Sequence, residues 1–463
     1  MQHSLTEGSI LKAIFRISWP VAMANILQTV YNLTDIFWVG RVGQEAVAAV
    51  SFSFPILFLL ISFGAGISIA GTILVAQYKG KGAGGIDYIA SQTLLILGVI
   101  SILISAAGYM LTPFLINLTG AEPAVIPGAV AYLKVSFVGL IFLFSFFVFQ
   151  SILRGVGVVK IPMFIVLGTV ILNFLADPIF IMGWGPIPAY GVAGAAMATI
   201  ITEGLAAAIA LSMFLSGKYG IKLRLVYFKP DWPLTKKLLL LGLPASVEHS
   251  IRAFSFTVMI FLVGAFGTTV VASYGIVTRI LSFIIIPAVG VAMATTTLVG
   301  QNIGAGKPDR AARTAAIAAG LTFVLMTAAG AMFYIFSGNL ISFFIPGDPY
   351  VIETGSLFIK IVSLTFGFAG LQIVLGGAFR GSGNTVAAML FTLASFLIIR
   401  IGLAYGLSNY SALSEKGIWW AFPLSNLTGG LLALFWFLKG SWMKKRLVDE
   451  INLTYEIMEE SLP

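Results

Sequence analysis

Apolar residues run for twenty or more positions at a time along almost the whole chain, separated by short polar stretches rich in glycine and proline. A run of that length can cross the hydrocarbon of a bilayer as one helix. The pattern predicts twelve such helices: 14–39, 47–78, 88–116, 129–154, 161–182, 190–216, 236–263, 270–301, 313–343, 353–379, 386–407 and 417–439. Several exceed the minimum length, which predicts tilt or ends that project into water. Nothing cleavable is predicted at the start, because residues 1–13 are polar and no small-residue cleavage site follows a short apolar stretch.

Composition agrees. The 463 residues are 59% hydrophobic and 10% charged, against roughly 25% charged in a soluble domain. No stretch is left for a soluble domain of useful size. The chain lacks cysteine and has only His3 and His249. Disulfides, thiol catalysis and a histidine-built metal cluster are therefore excluded. An intramembrane enzyme would need a nucleophile–base pair or a metal cluster, and neither is present, so no catalytic residue is assigned. A channel is disfavoured by the lack of a filter-like motif.

The net charge of +9 reads as topology rather than as nucleic-acid binding. With a cytoplasmic N-terminus, most Lys and Arg residues fall in inside segments, among them Lys79, Lys81, Lys229, Lys236, Lys237, Lys307, Arg310, Arg313, Lys444 and Arg446. Basic residues mark cytoplasmic loops. Both termini are thus expected inside, in the plasma membrane. Arg252, Arg279 and Arg400 fall within predicted spans.

The halves repeat each other. "VAQYKGKG" (75–82) lies 224 residues before "VGQNIGAG" (299–306), and Pro20/Pro244 and Val39–Gly40/Val263–Gly264 keep that offset; "ILRGVG" (152–157) recurs as "AFRGSG" (378–383) at 226. Six helices per repeat give both halves the same orientation. The expected fold is an all-α integral membrane protein of two parallel six-helix lobes around a central cavity, an architecture of secondary transporters. The expected division is 1–216 (N-terminal lobe), 217–236 (cytoplasmic linker), 237–440 (C-terminal lobe) and 441–463 (cytoplasmic tail). The two Arg-Gly-x-Gly turns read as helix ends, with Arg meeting the helix dipole and lipid phosphate.

Four acids sit inside spans: Asp35, Asp177, Glu203 and Glu248. An intramembrane acid costs about 3 kcal/mol on insertion scales and so needs a task or a partner. Asn25, Gln28, Asn32 and Asp35 advance by three or four and share a helix face, with Tyr31 beside them; this polar stripe predicts a wet cavity. Asp177 follows Asn173 by one turn and precedes Pro178. An amide oxygen, a carboxylate and a carbonyl freed by proline suit a small hard cation. Asp35 and Asp177 fall at one depth in the first lobe, where they could share H⁺ or Na⁺. Thr199 can add a hydroxyl to that region, one turn before Glu203. Glu248 and Arg252 form an i, i+4 pair. The second lobe repeats neither key acid: Asp35 aligns with Met259 and Asp177 with Leu403.

These features together resemble the multidrug and toxic compound extrusion (MATE) transporters. The resemblance covers the whole chain and rests on the two six-helix lobes, "DIFWVGRVGQEAVAA" (35–49), "VAQYKGKG" with its repeat, and "LRGVG" with "FRGSG". Within that family the chain is similar to the DinF-like branch, whose first-helix Asp and fifth-helix Asn-x-x-x-Asp match Asp35, Asn173 and Asp177. The NorM-like branch places acids where this chain has Arg252 and Ala369. The resemblance implies cation-coupled export of bulky, cationic or amphipathic drug-like compounds. Asp35, Asp177, Asn173 and Thr199 are then the coupling set, for H⁺ or Na⁺. Tyr31, Gln28, Asn32 and Asn25 face substrate, and Glu203, Glu248 and Arg252 are accessory. No cofactor is implied. A monomer surrounded by lipid is expected. The nearest alternative is a lipid or lipid-linked oligosaccharide flippase, which needs basic groups in its cavity. The abundance of Phe, Met and Tyr (37, 14 and 14) suits an adaptable apolar pocket.

Overall fold

The computed structural model describes residues 5–82, 84–444 and 446–449. The end of the expected tail, 450–463, lies outside them, as does Lys445. The described chain is helical: α1 (Ile10–Gly40), α2 (Gln44–Lys81), α3 (Ile86–Leu118), α4 (Ile126–Val156), α5 (Lys160–Met182) and α6 (Val192–Leu215) form the first set. The second set is α7 (Trp232–Gly264), α8 (Thr268–Gly304), α9 (Pro308–Ile335), α10 (Ser337–Phe344), α11 (Pro349–Ser363), α12 (Phe366–Gly381), α13 (Thr385–Thr392), α14 (Gly402–Tyr410) and α15 (Glu415–Lys439). A π-helical stretch, Leu393–Ile401, joins α13 to α14 in one continuous span. Among the described residues eleven helices are long and apolar enough to cross a membrane, and α11 with α12 make a twelfth span bent by 54°. This is a polytopic membrane protein.

Two spans differ from the sequence pattern. The expected 313–343 helix ends at Ile335, and Ser337–Phe344 forms a separate short helix. The expected 353–379 helix breaks at Leu364–Thr365. There the Ser363 and Thr365 hydroxyls donate to the carbonyls of Lys360 and Val362. Such local bonds compete with the helical ladder.

The chain forms two compact units. One comprises Met23–Ser246 among the described residues; the other comprises the described part of Met1–Ala22 with Val247–Val448. The start of α1 thus belongs with the C-terminal helices, and the start of α7 with the N-terminal ones. Ala22 and Ser246 are related by the 224-residue offset, so the exchange obeys the repeat. Two glycines accommodate it. An added Cβ at Gly66 would collide with Ser246, and one at Gly290, 224 residues later, would stand 2.9 Å from Ala22 Cβ.

The Arg-Gly-x-Gly turns repeat at atomic detail. Gly157 and Gly383 take left-handed φ of 88° and 85° and end their helices. The preceding glycines sit where helices touch. Thr72 Oγ1 donates to the Ser151 carbonyl at 3.0 Å, and its equivalent Thr296 Oγ1 donates to the Gly377 carbonyl at 2.9 Å. A Cβ at Gly155 would come 2.7 Å from Val75 Cγ1, and one at Gly381 would meet the Thr296 carbonyl oxygen. Gly381→Ala should therefore lower stability by about 1–3 kcal/mol through overpacking. Gly320→Ala, with nothing within 4 Å, serves as the control in a thermal unfolding measurement in detergent.

The segment between the halves is tied to α3 of its own unit. Gln92 Nε2 donates to the carbonyls of Tyr227 (2.7 Å) and Lys229 (2.6 Å), and Asp87 Oδ1 accepts from the Lys222 amide (3.0 Å). Asp231 accepts from the Tyr88 hydroxyl at 2.6 Å and caps α7 by accepting from the Leu234 amide at 3.0 Å. Asp231→Ala should cost about 1–2 kcal/mol from the lost cap alone. Hydrogen exchange over 218–235 would report the loosening, and unchanged protection there would refute this role.

Candidate functional site

The candidate site lies inside the N-terminal unit, where α1, α5 and α6 converge. Small residues on α6 permit the approach: a Cβ on Gly194 would collide with the Phe180 carbonyl of α5. Toward the ends of these helices Val39, Ile181 and Ala195 pack with Ala46 into one apolar cluster, flanked by Trp38, Tyr132 and Val192. Val39 is one turn beyond Asp35, Ile181 one turn beyond Asp177, and Ala195 one turn before Thr199. On antiparallel α6 that is the same direction, so the cluster forms a single apolar layer on one side of the polar residues. On the other side Tyr31 and Thr202 hydroxyls share a 2.8 Å hydrogen bond. Tyr31 is 4% exposed, and Thr199 lies beside its hydroxyl.

Between these layers Asp35 meets Asp177 and Asn173. Asn173 and Asp177 are fully buried, and Asn173 Nδ2 donates to Asp177 Oδ1 at 3.2 Å. Three oxygens are left over: Asp35 Oδ1, Asn173 Oδ1 and Asp177 Oδ2 are buried with no hydrogen-bond partner. Native structures seldom leave buried acceptors unpaired, so each needs an explanation. Two carboxylates and an amide oxygen are all acceptors, a set that a proton, a small cation or a water can serve. Glu203 on α6 lies within electrostatic range of Tyr31 and Asp35.

The predicted stripe on α1 divides. Tyr31 and Asp35 turn into the unit, whereas Gln28 and Asn32 are exposed and Asn25 is half-buried. Residues 31 and 35 lie at one edge of the stripe and 25 and 32 at the other, so a helix face about 120° wide serves both.

In the C-terminal unit Glu248 is the hub of a different cluster. Its carboxylate accepts from Arg380 Nη1 at 2.7 and 2.8 Å and from Arg252 Nη2 at 3.0 Å. The expected Glu248–Arg252 pair is present. Arg380 was expected to serve the helix end and lipid phosphate; its side chain instead bonds Glu248. Nothing in the local sequence reveals this partner, 132 residues away. Arg279 is exposed on α8.

The family model MatE matches residues 20–179 and again 244–406. The two matches start 224 residues apart, the spacing of the repeat. The chain belongs to the MatE family, the MATE transporters. It is 30% identical over 456 residues to YpnP, a probable multidrug resistance protein of Bacillus subtilis (strain 168), covering 97% of this chain and 99% of that one. It is 25% identical over 439 residues to a FAD transporter of Shewanella oneidensis, covering 94% and 96% respectively. Among solved structures, a MATE protein in the bent conformation superposes with a TM-score of 0.88 at 25% identity, covering 95% of this chain and 98% of that chain.

For a MATE chain, the sequence singles out Asp35, Asn173, Asp177 and Tyr31, and the structure brings them together with Thr199 in one place. It missed two members. Thr202, the direct hydrogen-bond partner of Tyr31, lies one turn from Ala198 and Thr199 on the same small-residue face of α6, which was the available signal. Tyr132 of α4 lies within electrostatic range of Asp35, Asp177 and Glu203, and no sequence spacing linked it to them.

Proposed function

We propose that this MATE chain exports bulky amphipathic or cationic organic compounds from the cell in exchange for H⁺ or Na⁺. Asp35, Asn173 and Asp177 would hold the ion, with Thr199 beside them. Tyr31, Gln28, Asn32 and Asn25 would face cargo, and Glu203 would be an accessory acid. The observation that carries this reading is the set of three buried, unpartnered oxygens on Asp35, Asn173 and Asp177. Burial penalises two neighbouring negative charges, and a bound proton or Na⁺ removes the penalty. Occupation would draw α1 toward α5 through Asp35. Release would let α1 relax, so the ion and the exposed residues of the same helix are coupled through one element. Multidrug resistance relatives support the cargo class. The relative named as a FAD transporter shows that organic cargo other than drugs occurs among proteins of this kind. The protein would act as a monomer in the plasma membrane with both termini cytoplasmic.

The test is purified protein in liposomes with imposed H⁺ or Na⁺ gradients and a panel of dyes. At least one of the two gradients, imposed alone, should drive dye movement in wild type. Dye flux that is indifferent to both gradients would refute ion exchange.

A further inference from the structure

The C-terminal unit contains a cation that the ion-exchange reading leaves without a task. Arg400 is 5% exposed and lies on the π-helical stretch Leu393–Ile401. π-helical insertions are rare and recur at functional sites. Its Nε donates to Ser425 Oγ at 2.9 Å and its Nη2 to Asn426 Oδ1 at 2.8 Å. Its guanidinium lies over Phe396 at 4.1 Å and over Phe422 at 4.6 Å from the ring centroids. Arg252 lies over the same Phe396 ring at 5.1 Å, and its side chain is 28% exposed. Tyr274 and Arg252 are ionisable neighbours of Arg400, and among the described residues no carboxylate forms an ion pair with it. Glu248 is already held by Arg252 and Arg380, so of these three guanidiniums Arg400 alone has no carboxylate partner among the described residues. Beside Arg400, the Tyr274 hydroxyl is buried and has no hydrogen-bond partner. The Tyr274 ring packs against Trp419 and Phe422.

The unpartnered Tyr274 hydroxyl can donate, and Arg400 is a cation bonded to neutral acceptors, the reverse of the acceptor-only site around Asp35. An aromatic platform lies alongside. We propose that Arg400, Arg252 and the Tyr274 hydroxyl form a second binding site, which accepts the anionic group of a planar aromatic compound. The carboxylate or sulfonate pairs with the two guanidiniums and receives the Tyr274 hydroxyl. The aromatic body lies against Phe396, the half-buried ring. Access is from the side of Arg252, the half-buried member. The inference rests on the export reading only for its place on a transport route; the binding chemistry stands apart from it.

Two xanthene dyes of opposite charge, fluorescein (anionic) and rhodamine 6G (cationic), test this by fluorescence polarisation with the purified full-length protein. Arg400→Gln should lower the ratio of fluorescein to rhodamine 6G affinity about tenfold, the scale of a lost charge-assisted bond. Arg252→Gln should lower it about threefold, since that group is partly in water. Tyr274→Phe keeps the ring and removes only the unpaired hydroxyl. It should weaken fluorescein about threefold without lowering the unfolding temperature. Fluorescein affinity unchanged in both Tyr274→Phe and Arg252→Gln would overturn the proposal, as would an equal loss for both dyes in Arg400→Gln. Displacement of fluorescein by equimolar dioctanoyl phosphatidate would assign the site to lipid headgroups and overturn the aromatic assignment. If the predicted dye ratios hold but no gradient drives flux, the export reading fails and this site stands. Gradient-driven rhodamine 6G flux without fluorescein binding overturns this site alone.

Discussion

Asp177→Asn should reduce gradient-driven efflux at least about tenfold, equivalent to roughly 1.4 kcal/mol of lost coupling, while leaving the fold intact. Asp177 is fully buried and its Oδ2 has no partner. Asparagine matches its volume, keeps an acceptor for Asn173 Nδ2, and can donate to Asp35 with its amide. The variant therefore resembles the ion-occupied form permanently. Removing one of two adjacent buried acids also removes their repulsion, so the unfolding temperature should hold or rise. Asp35→Asn should behave in the same way, because its carboxylate faces the same two residues. Flux in proteoliposomes and thermal unfolding of the same preparations are the measurements. Wild-type efflux in both variants would end the coupling assignment. Lost efflux accompanied by unfolding would reduce the pair to a structural role.

The twelve spans and the repeat were legible because bilayer thickness and duplication both leave long-period signals in the sequence. The candidate site was legible in part, for a related reason. Asp35, Asn173 and Asp177 violate the apolar pattern, and a violation inside a membrane is conspicuous. Thr202 was not conspicuous, because threonine satisfies itself on its own helix and is common in apolar spans; here it bonds the carbonyls of Ala198 and Thr199 as well as Tyr31. The break at Leu364–Thr365 was missed because no proline marks it; hydroxyls at 363 and 365 divert the backbone instead. The π-helical stretch changes hydrogen-bond register without changing hydrophobicity, so the apolar pattern passes over it. The partner of Arg380 was illegible for a third reason. Its local motif already explained it as a helix end, and the buried acid that holds it comes from α7.

Glu248→Gln should be the most destabilising single substitution among the intramembrane acids, by about 3–5 kcal/mol. The Glu248 side chain is 3% exposed and Arg380 11%, so their 2.7 Å pair is removed from water at both ends. Glutamine offers one weak acceptor where two short charge-assisted bonds stood. The uncompensated cost falls on Arg380, because Arg252, at 28% exposed, recovers part of its solvation. Double substitution Glu248→Gln/Arg380→Gln should therefore lose less than the sum of its parts, with a coupling of about 0.5–3 kcal/mol. The experiment also separates two kinds of ion exchange. Glu248 is on the helix where the NorM-like branch carries an acid, one turn before the matching position held here by Arg252. An acid that exchanges ions must be able to neutralise, so Gln at that position would abolish coupling with little loss of stability. An acid clamped by two guanidiniums has no such freedom, and its loss is felt first as unfolding. A Glu248→Gln protein that melts like wild type yet no longer responds to ion gradients would move the coupling to the C-terminal unit and overturn its assignment to Asp35 and Asp177.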